Sequence, residues 1–171
     1  MPVNLAAQHL VTEFTRSGRT IATAESLTAG LCAATIAEVP GASAVLRGGV
    51  IVYATDTKHD LAGVSEQTLK EHGPVSAETA AELAEGVAGR CSADVGVALT
   101  GVAGPDPQDG HPVGEVFIGI FDSSRGARVE NLYAEFIQRR EAGEFAGLDS
   151  VELRAKIRQF SAIRAMELAS E

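Results

Sequence analysis

A serine hydroxyl, a lysine amine and a glycine-rich loop are the groups in this 171-residue chain that could carry out acyl chemistry. Ser26 stands between a short β-branched run at 20–24 (TIATA) and an apolar stretch at 31–39 (LCAATIAEV). A serine placed where a strand passes into a helix has its hydroxyl beside backbone N–H groups that point out of the helix end. Those donors could hold a phosphate, or the oxyanion formed when the hydroxyl attacks a carbonyl. Helix capping is the ordinary task of a serine in such a position, and Thr28 and Gly30 would then be first-turn residues.

A serine nucleophile also needs a base. No His–Asp pair near Ser26 suggests a triad: His9 and His72 read as surface helix residues, and His59 and His111 lie in polar segments without an obvious acidic partner. A lysine can act as the base if burial lowers its pKa. Lys58 is the candidate because it follows an apolar strand and Tyr53 at that strand's end, although most lysines are solvated. The loop Thr100-Gly101-Val102-Ala103-Gly104-Pro105-Asp106 follows a small-residue strand, and its glycines would let a ligand approach the backbone. It matches neither GxxxxGK[ST] nor GxGxxG, so it is neither a P-loop nor a dinucleotide fingerprint. Arg154 and Arg158 are four apart on the last helical segment and share one face. Such a face is ordinarily just solvated, but it is also the best local positive patch for an anionic ligand.

The elements that must position these groups alternate. Asn4 can cap a helix that Gly18 stops, with Ala7, Val11 and Phe14 at helical spacing. Strands are expected at 20–24, 45–53 and 94–101, followed by a hairpin of 114–122 with 128–136 around Ser123-Ser124-Arg125-Gly126. The 31–39 helix is apolar on nearly all sides and should be largely buried. The polar run 55–60 can start a short helix, and Pro74 and Ser76 introduce a long Ala/Glu helix to about Arg90. Asp149 with Glu152 makes a capping-box pattern before a last helix to about Leu168. This alternation predicts a three-layer α/β/α sandwich on a mixed, mostly parallel sheet of about five strands, one domain over 1–171.

Composition narrows the function. Hydrophobic residues make up 45% and charged residues 22%, which excludes a mostly disordered chain. With 14 basic against 23 acidic residues and a net charge of −9, the chain's balance argues against general nucleic-acid binding as well. Cys32 and Cys91 give neither a disulfide framework nor a metal quartet. The N-terminal residues lack the basic flank and apolar run of a signal peptide, and no stretch reaches a membrane span. A cytoplasmic protein with no membrane or nucleic-acid partner is expected. Small α/β enzymes of this size often form symmetric dimers, so a homo-oligomer is expected too.

Five segments in order, AESLTAG (24–30), GGVIVYATDTKHDLAGV (48–64), GPVSAETAAELAEG (73–86), ALTGVAGPD (98–106) and HPVGEVFIGI (111–120), together resemble the CinA C-terminal domain family. The resemblance runs from about residue 5 to 122 and resumes in 153–168. Stand-alone members of that family look like nicotinamide-nucleotide amidohydrolases. The resemblance implies hydrolysis of nicotinamide mononucleotide to nicotinic acid mononucleotide and ammonia, with Ser26 as nucleophile and Tyr53 and Lys58 activating it and shuttling protons. It further implies an oxyanion held by backbone N–H groups at the start of a 27–39 helix or in the 100–104 loop. Thr28, Gly30, Thr100, Gly101, Ala103 and Gly104 would line the substrate, Arg154 and Arg158 would grip its phosphate, and no metal or organic cofactor is called for. Leu27, Ala29 and Thr55 depart from the family's usual Cys, Gly and Asn, and an insertion, IQRREAGEFAGLDSVE, precedes Leu153. The alternative is a catalytically weak pyridine-nucleotide-binding module of the same fold, or a competence-related interaction module.

Overall fold

A computed structural model of the chain describes residues 4–171; the first three positions of the expected 1–171 domain lie outside the described residues. The elements run α1 (Leu5–Ser17), β1 (Ile21–Glu25), α2 (Leu31–Ala37), β2 (Leu46–Ile51), α3 (Thr55–Ala62), α4 (Glu66–His72), α5 (Ala77–Cys91), β3 (Val95–Gly101), β4 (Val116–Asp122), β5 (Gly126–Asn131), α6 (Tyr133–Glu141) and α7 (Ser150–Ala169). The five strands lie in the order β2-β1-β3-β4-β5. β1 pairs parallel with β2 and β3, while β4 pairs antiparallel with β3 and β5. Only β4 therefore runs against the other four strands.

Strand alternation divides the core in two. Ile21 of β1, Val95, Val97 and Leu99 of β3, and Val116, Ile118 and Ile120 of β4 pack with α1, α2, α6 and α7. Ala22, Ala24 and Ala98 face the other way, toward Leu83, Ala84 and Val87 of α5. That second face is built of small residues, which lets α5 sit very close to the sheet. A Cβ added at Gly96 would lie 1.9 Å from the Ala84 carbonyl oxygen, and one added at Gly119 would lie 2.1 Å from that of Ala80. Backbone cannot yield as a side-chain tip can, so Gly96→Ala should lower unfolding stability by about 1–3 kcal/mol or more. A denaturant melt with an unchanged midpoint would contradict this.

Two expectations need correction, and one helix has no counterpart among them. The segment 31–39 is not buried all round: α2 ends at Ala37, and Ala34 and Ala37 are exposed. The second hairpin strand stops at Asn131, because Asn131 Oδ1 accepts from the Tyr133 N–H and turns the chain into α6. Helix α4, capped by Ser65, was not anticipated; it is a seven-residue helix without a long apolar period. The caps at Asn4 and the capping box of Asp149 and Glu152 form as the sequence predicts.

Candidate functional site

The order 2-1-3 sends the β1-to-β2 crossover to one side of β1 and the β2-to-β3 crossover back past it to the other, so a crevice opens beyond the carboxyl ends of β1 and β3. Ser26 follows β1 and the 102–106 loop follows β3, and both reach this crevice. A cavity of about 100 Å³ occupies it. It is lined by Ser26, Leu27, Tyr53, Lys58 and Arg154, by the loop from Thr100 to Gly104, and by Pro74, Val75, Thr55, Asp106 and Gln108. A larger cavity of about 490 Å³ lies at the opposite end of the sheet between α1, the β4–β5 turn and the end of α7. Its Arg19 is paired with Asp122 and its Arg128 with Glu171, so much of its charge is already neutralised.

Ser26 is held from both sides. Its N–H donates to the Leu99 carbonyl at 2.9 Å, and the Val52 N–H donates to the Glu25 carbonyl at 2.9 Å. Thr23 and Glu25 share one face of β1, so Ser26 falls on the other, toward α3. There the Lys58 amine lies 3.1 Å from the Ser26 hydroxyl. Lys58 is only 1% exposed, and with Ala62 it is the buried side of α3. Its amine also donates to the carbonyls of Val52 at 2.7 Å and, at a longer 3.5 Å, of Tyr53. Burial disfavours the ammonium and lowers the Lys58 pKa from 10.5 to about 8. A neutral amine that keeps its two N–H groups on those carbonyls turns its lone pair to the Ser26 hydroxyl. That is the geometry of a general base beside its nucleophile.

Ser26 caps nothing. The helix after it begins at Leu31 with Gly30 as its N-cap, four residues later than Leu27. The N–H groups there are not free for an oxyanion. The buried Glu25 carboxylate accepts from the N–H groups of Gly30, Cys32 and Ala33 at 2.8–3.0 Å and from the Thr23 hydroxyl at 3.1 Å. Among the described residues, the N–H groups of Leu27, Ala103 and Gly104 carry no hydrogen bond to protein. An oxyanion hole can be drawn from these instead, combining the Leu27 end of the expected 27–39 source with the 100–104 loop. Glu25 is a site-building residue that the sequence reading missed; a carboxylate five residues before a helix does not look like its cap. Glu25→Gln would set an amide N–H₂ against some of those N–H groups. It should destabilise the fold by about 1.5–3 kcal/mol in thermal or denaturant melts, and an unchanged melt would refute this role.

The remaining predicted residues divide. Gly101, Ala103, Gly104 and Arg154 line the cavity, as does Thr100, whose hydroxyl is committed to the Pro74 carbonyl at 2.7 Å. Thr28 and Gly30 do not line it; Thr28 is fully buried and the Gly30 N–H belongs to Glu25. Arg158 is not among the lining residues either. Its guanidinium donates to the carbonyls of Leu27 and Thr28 at 2.9 and 2.8 Å, and so clamps the Ser26 turn rather than the cavity. Arg154 donates to the Tyr53 hydroxyl at 2.8 Å and to the Gly104 carbonyl. The Tyr53 phenol is thus engaged with Arg154, while its backbone carbonyl faces Lys58. A third arginine of α7, Arg164, is taken up in ion pairs with Glu135 and Glu167. His111 also has an acidic partner, Glu115, at 2.7 Å, supplied by the turn before β4. No described helix is long and apolar enough to cross a membrane, and no cluster of three His, Cys, Asp or Glu among the described residues could hold a metal.

Comparison with known proteins agrees with this architecture. A Listeria monocytogenes protein named for competence-damage induction is 50% identical over 122 residues, 71% of this chain and 28% of its own length. A Streptococcus pneumoniae protein with the same name is 48% identical over 114 residues, 67% of this chain and 27% of its own. The chain thus spans little more than a quarter of the curated relatives it matches. The crystal structure of the competence/damage inducible protein CihA from Agrobacterium tumefaciens superposes with a TM-score of 0.81 at 32% identity, covering 95% of this chain and 90% of that one. The CinA C-terminal domain model matches residues 4–146, which takes in Ser26, Lys58 and the 100–104 loop, and the chain belongs to that family.

Proposed function

We propose that this chain is a serine amidohydrolase that converts nicotinamide mononucleotide to nicotinic acid mononucleotide and ammonia. The observation that carries the chemistry is the 3.1 Å approach of a buried, pKa-lowered Lys58 amine to the Ser26 hydroxyl. The choice of substrate rests on the family resemblance, and the half-buried Arg154 at the cavity supplies a cation for its phosphate.

In this reading the Ser26 hydroxyl attacks the carboxamide carbon while its proton passes to Lys58. The N–H groups of Leu27, Ala103 and Gly104 receive the negative oxygen of the tetrahedral intermediate. Lys58 then returns the proton to the departing nitrogen, the C–N bond breaks, and ammonia leaves an acyl ester on Ser26. Water attacks that ester with Lys58 again as base, and the serine oxygen departs as an alcohol. Arg158 and Glu25 hold the turn that presents Ser26, and Tyr53 orients Arg154 through its phenol. The first test is stoichiometric. Purified protein incubated with nicotinamide mononucleotide should release one ammonia for each acid product formed, and no release over a protein-free control would overturn the reading.

A further inference from the structure

The substrate has a second polar feature besides its amide, a ring nitrogen bonded to the sugar and therefore fully positive. The cavity beside Ser26, about 100 Å³, is well below the ~300–1,000 Å³ of pockets that enclose a drug-sized ligand. It can take a reacting carboxamide and part of a ring, and the sugar must stay outside. With the amide down at Ser26 and the buried Lys58, the sugar-bearing nitrogen has to face the rim. Asp106 stands there. It is the sole carboxylate lining the cavity among the described residues, it is exposed, and it has no ion-pair partner among them. A bare carboxylate would repel a phosphate and gains nothing from a neutral ring. It does favour a cation that cannot be deprotonated.

Taking the amidohydrolase reading as its basis, we propose that Asp106 is a specificity-determining residue that selects substrates whose ring carries a permanent positive charge. Arg154, bonded to the Gly104 carbonyl on the same loop, then meets the phosphate, so the rim presents opposite charges to the two charged parts of one ligand. Because Asp106 is exposed and its side chain makes no hydrogen bond among the described residues, its amide variant should fold normally.

The probes are nicotinamide mononucleotide and its 1,4-dihydro form, which share sugar, phosphate and carboxamide and differ in ring charge. Dissociation constants are measured by calorimetry in Ser26→Ala, which cannot turn over, with and without Asp106→Asn. Loss of one partly solvated attraction should weaken the oxidised form about three- to tenfold and leave the reduced form within about twofold. Equal weakening of both forms, or no change in either, would overturn the proposal. Ammonia release by wild type is followed in parallel. Charge-selective binding without ammonia release sinks the amidohydrolase reading alone, and ammonia release with charge-blind binding sinks the role of Asp106 alone. Failure of Ser26→Ala to bind either form, with no ammonia release by wild type, sinks both.

Discussion

Ser26→Ala should reduce ammonia release from nicotinamide mononucleotide by at least about 10²-fold, the scale on which enzymes lose rate when a nucleophile is removed. Its thermal stability should stay close to that of wild type. The two outcomes separate because the Ser26 side chain has no structural post. Among the described residues it caps no helix, and its one hydrogen bond is the one that Lys58 donates at 3.1 Å. The backbone bond from the Ser26 N–H to the Leu99 carbonyl survives the substitution. Single-turnover experiments sharpen the test, since a covalent route predicts a burst of ammonia ahead of acid product whenever ester hydrolysis is the slower half. Turnover by Ser26→Ala equal to that of wild type would leave a binding module with contaminating activity. Retained affinity for the mononucleotide in the same variant would show that the cavity is intact and that chemistry alone was lost.

Strand positions were legible because short apolar runs are bounded by glycine, proline and polar turns, and because strand alternation explains both faces of the sheet. The meeting of Ser26 and Lys58 was expected from residue type, motif order and family resemblance, although they are 32 positions apart. What escaped was decided by partners that residue type and spacing do not single out. Glu25 takes the N–H groups of Gly30, Cys32 and Ala33 at the start of α2, so these are lost to the oxyanion hole expected from the start of a 27–39 helix. Arg158 looks like an anion grip on a helical wheel, but it is consumed by two backbone carbonyls of the Ser26 turn. Tyr53 sits next to the Lys58 environment in sequence, yet its phenol reaches across to α7. Asp106 belongs to the glycine-rich loop that the sequence offers as a ligand approach, but only the fold of the 104–114 segment brings its carboxylate and Gln108 to the cavity. In each case the residue type allowed two partners, and burial and backbone geometry selected between them.

Lys58→Met should cost at least about 10²-fold in ammonia release, as expected for loss of a general base, and it should also change how stability depends on pH. In the wild type, kcat/KM should rise as pH passes through about 8, because only the neutral amine can take the Ser26 proton. The stability effect has the opposite origin, since burial penalises the ammonium in the folded protein while the unfolded chain titrates near 10.5. Below about pH 8 both states hold the proton, and the fold bears the full cost of a buried charge. Between about 8 and 10.5 the unfolded chain binds a proton that the folded one does not, so wild-type stability rises with pH. Above that range both are neutral and the contribution vanishes. The stability difference between wild type and Lys58→Met should therefore shift in favour of wild type by on the order of 2–3 kcal/mol from about pH 7 to pH 10.5. The methionine variant leaves the Val52 carbonyl without its 2.7 Å donor, an offset that does not vary with pH and leaves the slope untouched. Parallel stability curves for the two proteins, together with a wild-type rate that is flat across pH 8, would mean that Lys58 is not the buried, titrating base on which the proposed reaction depends.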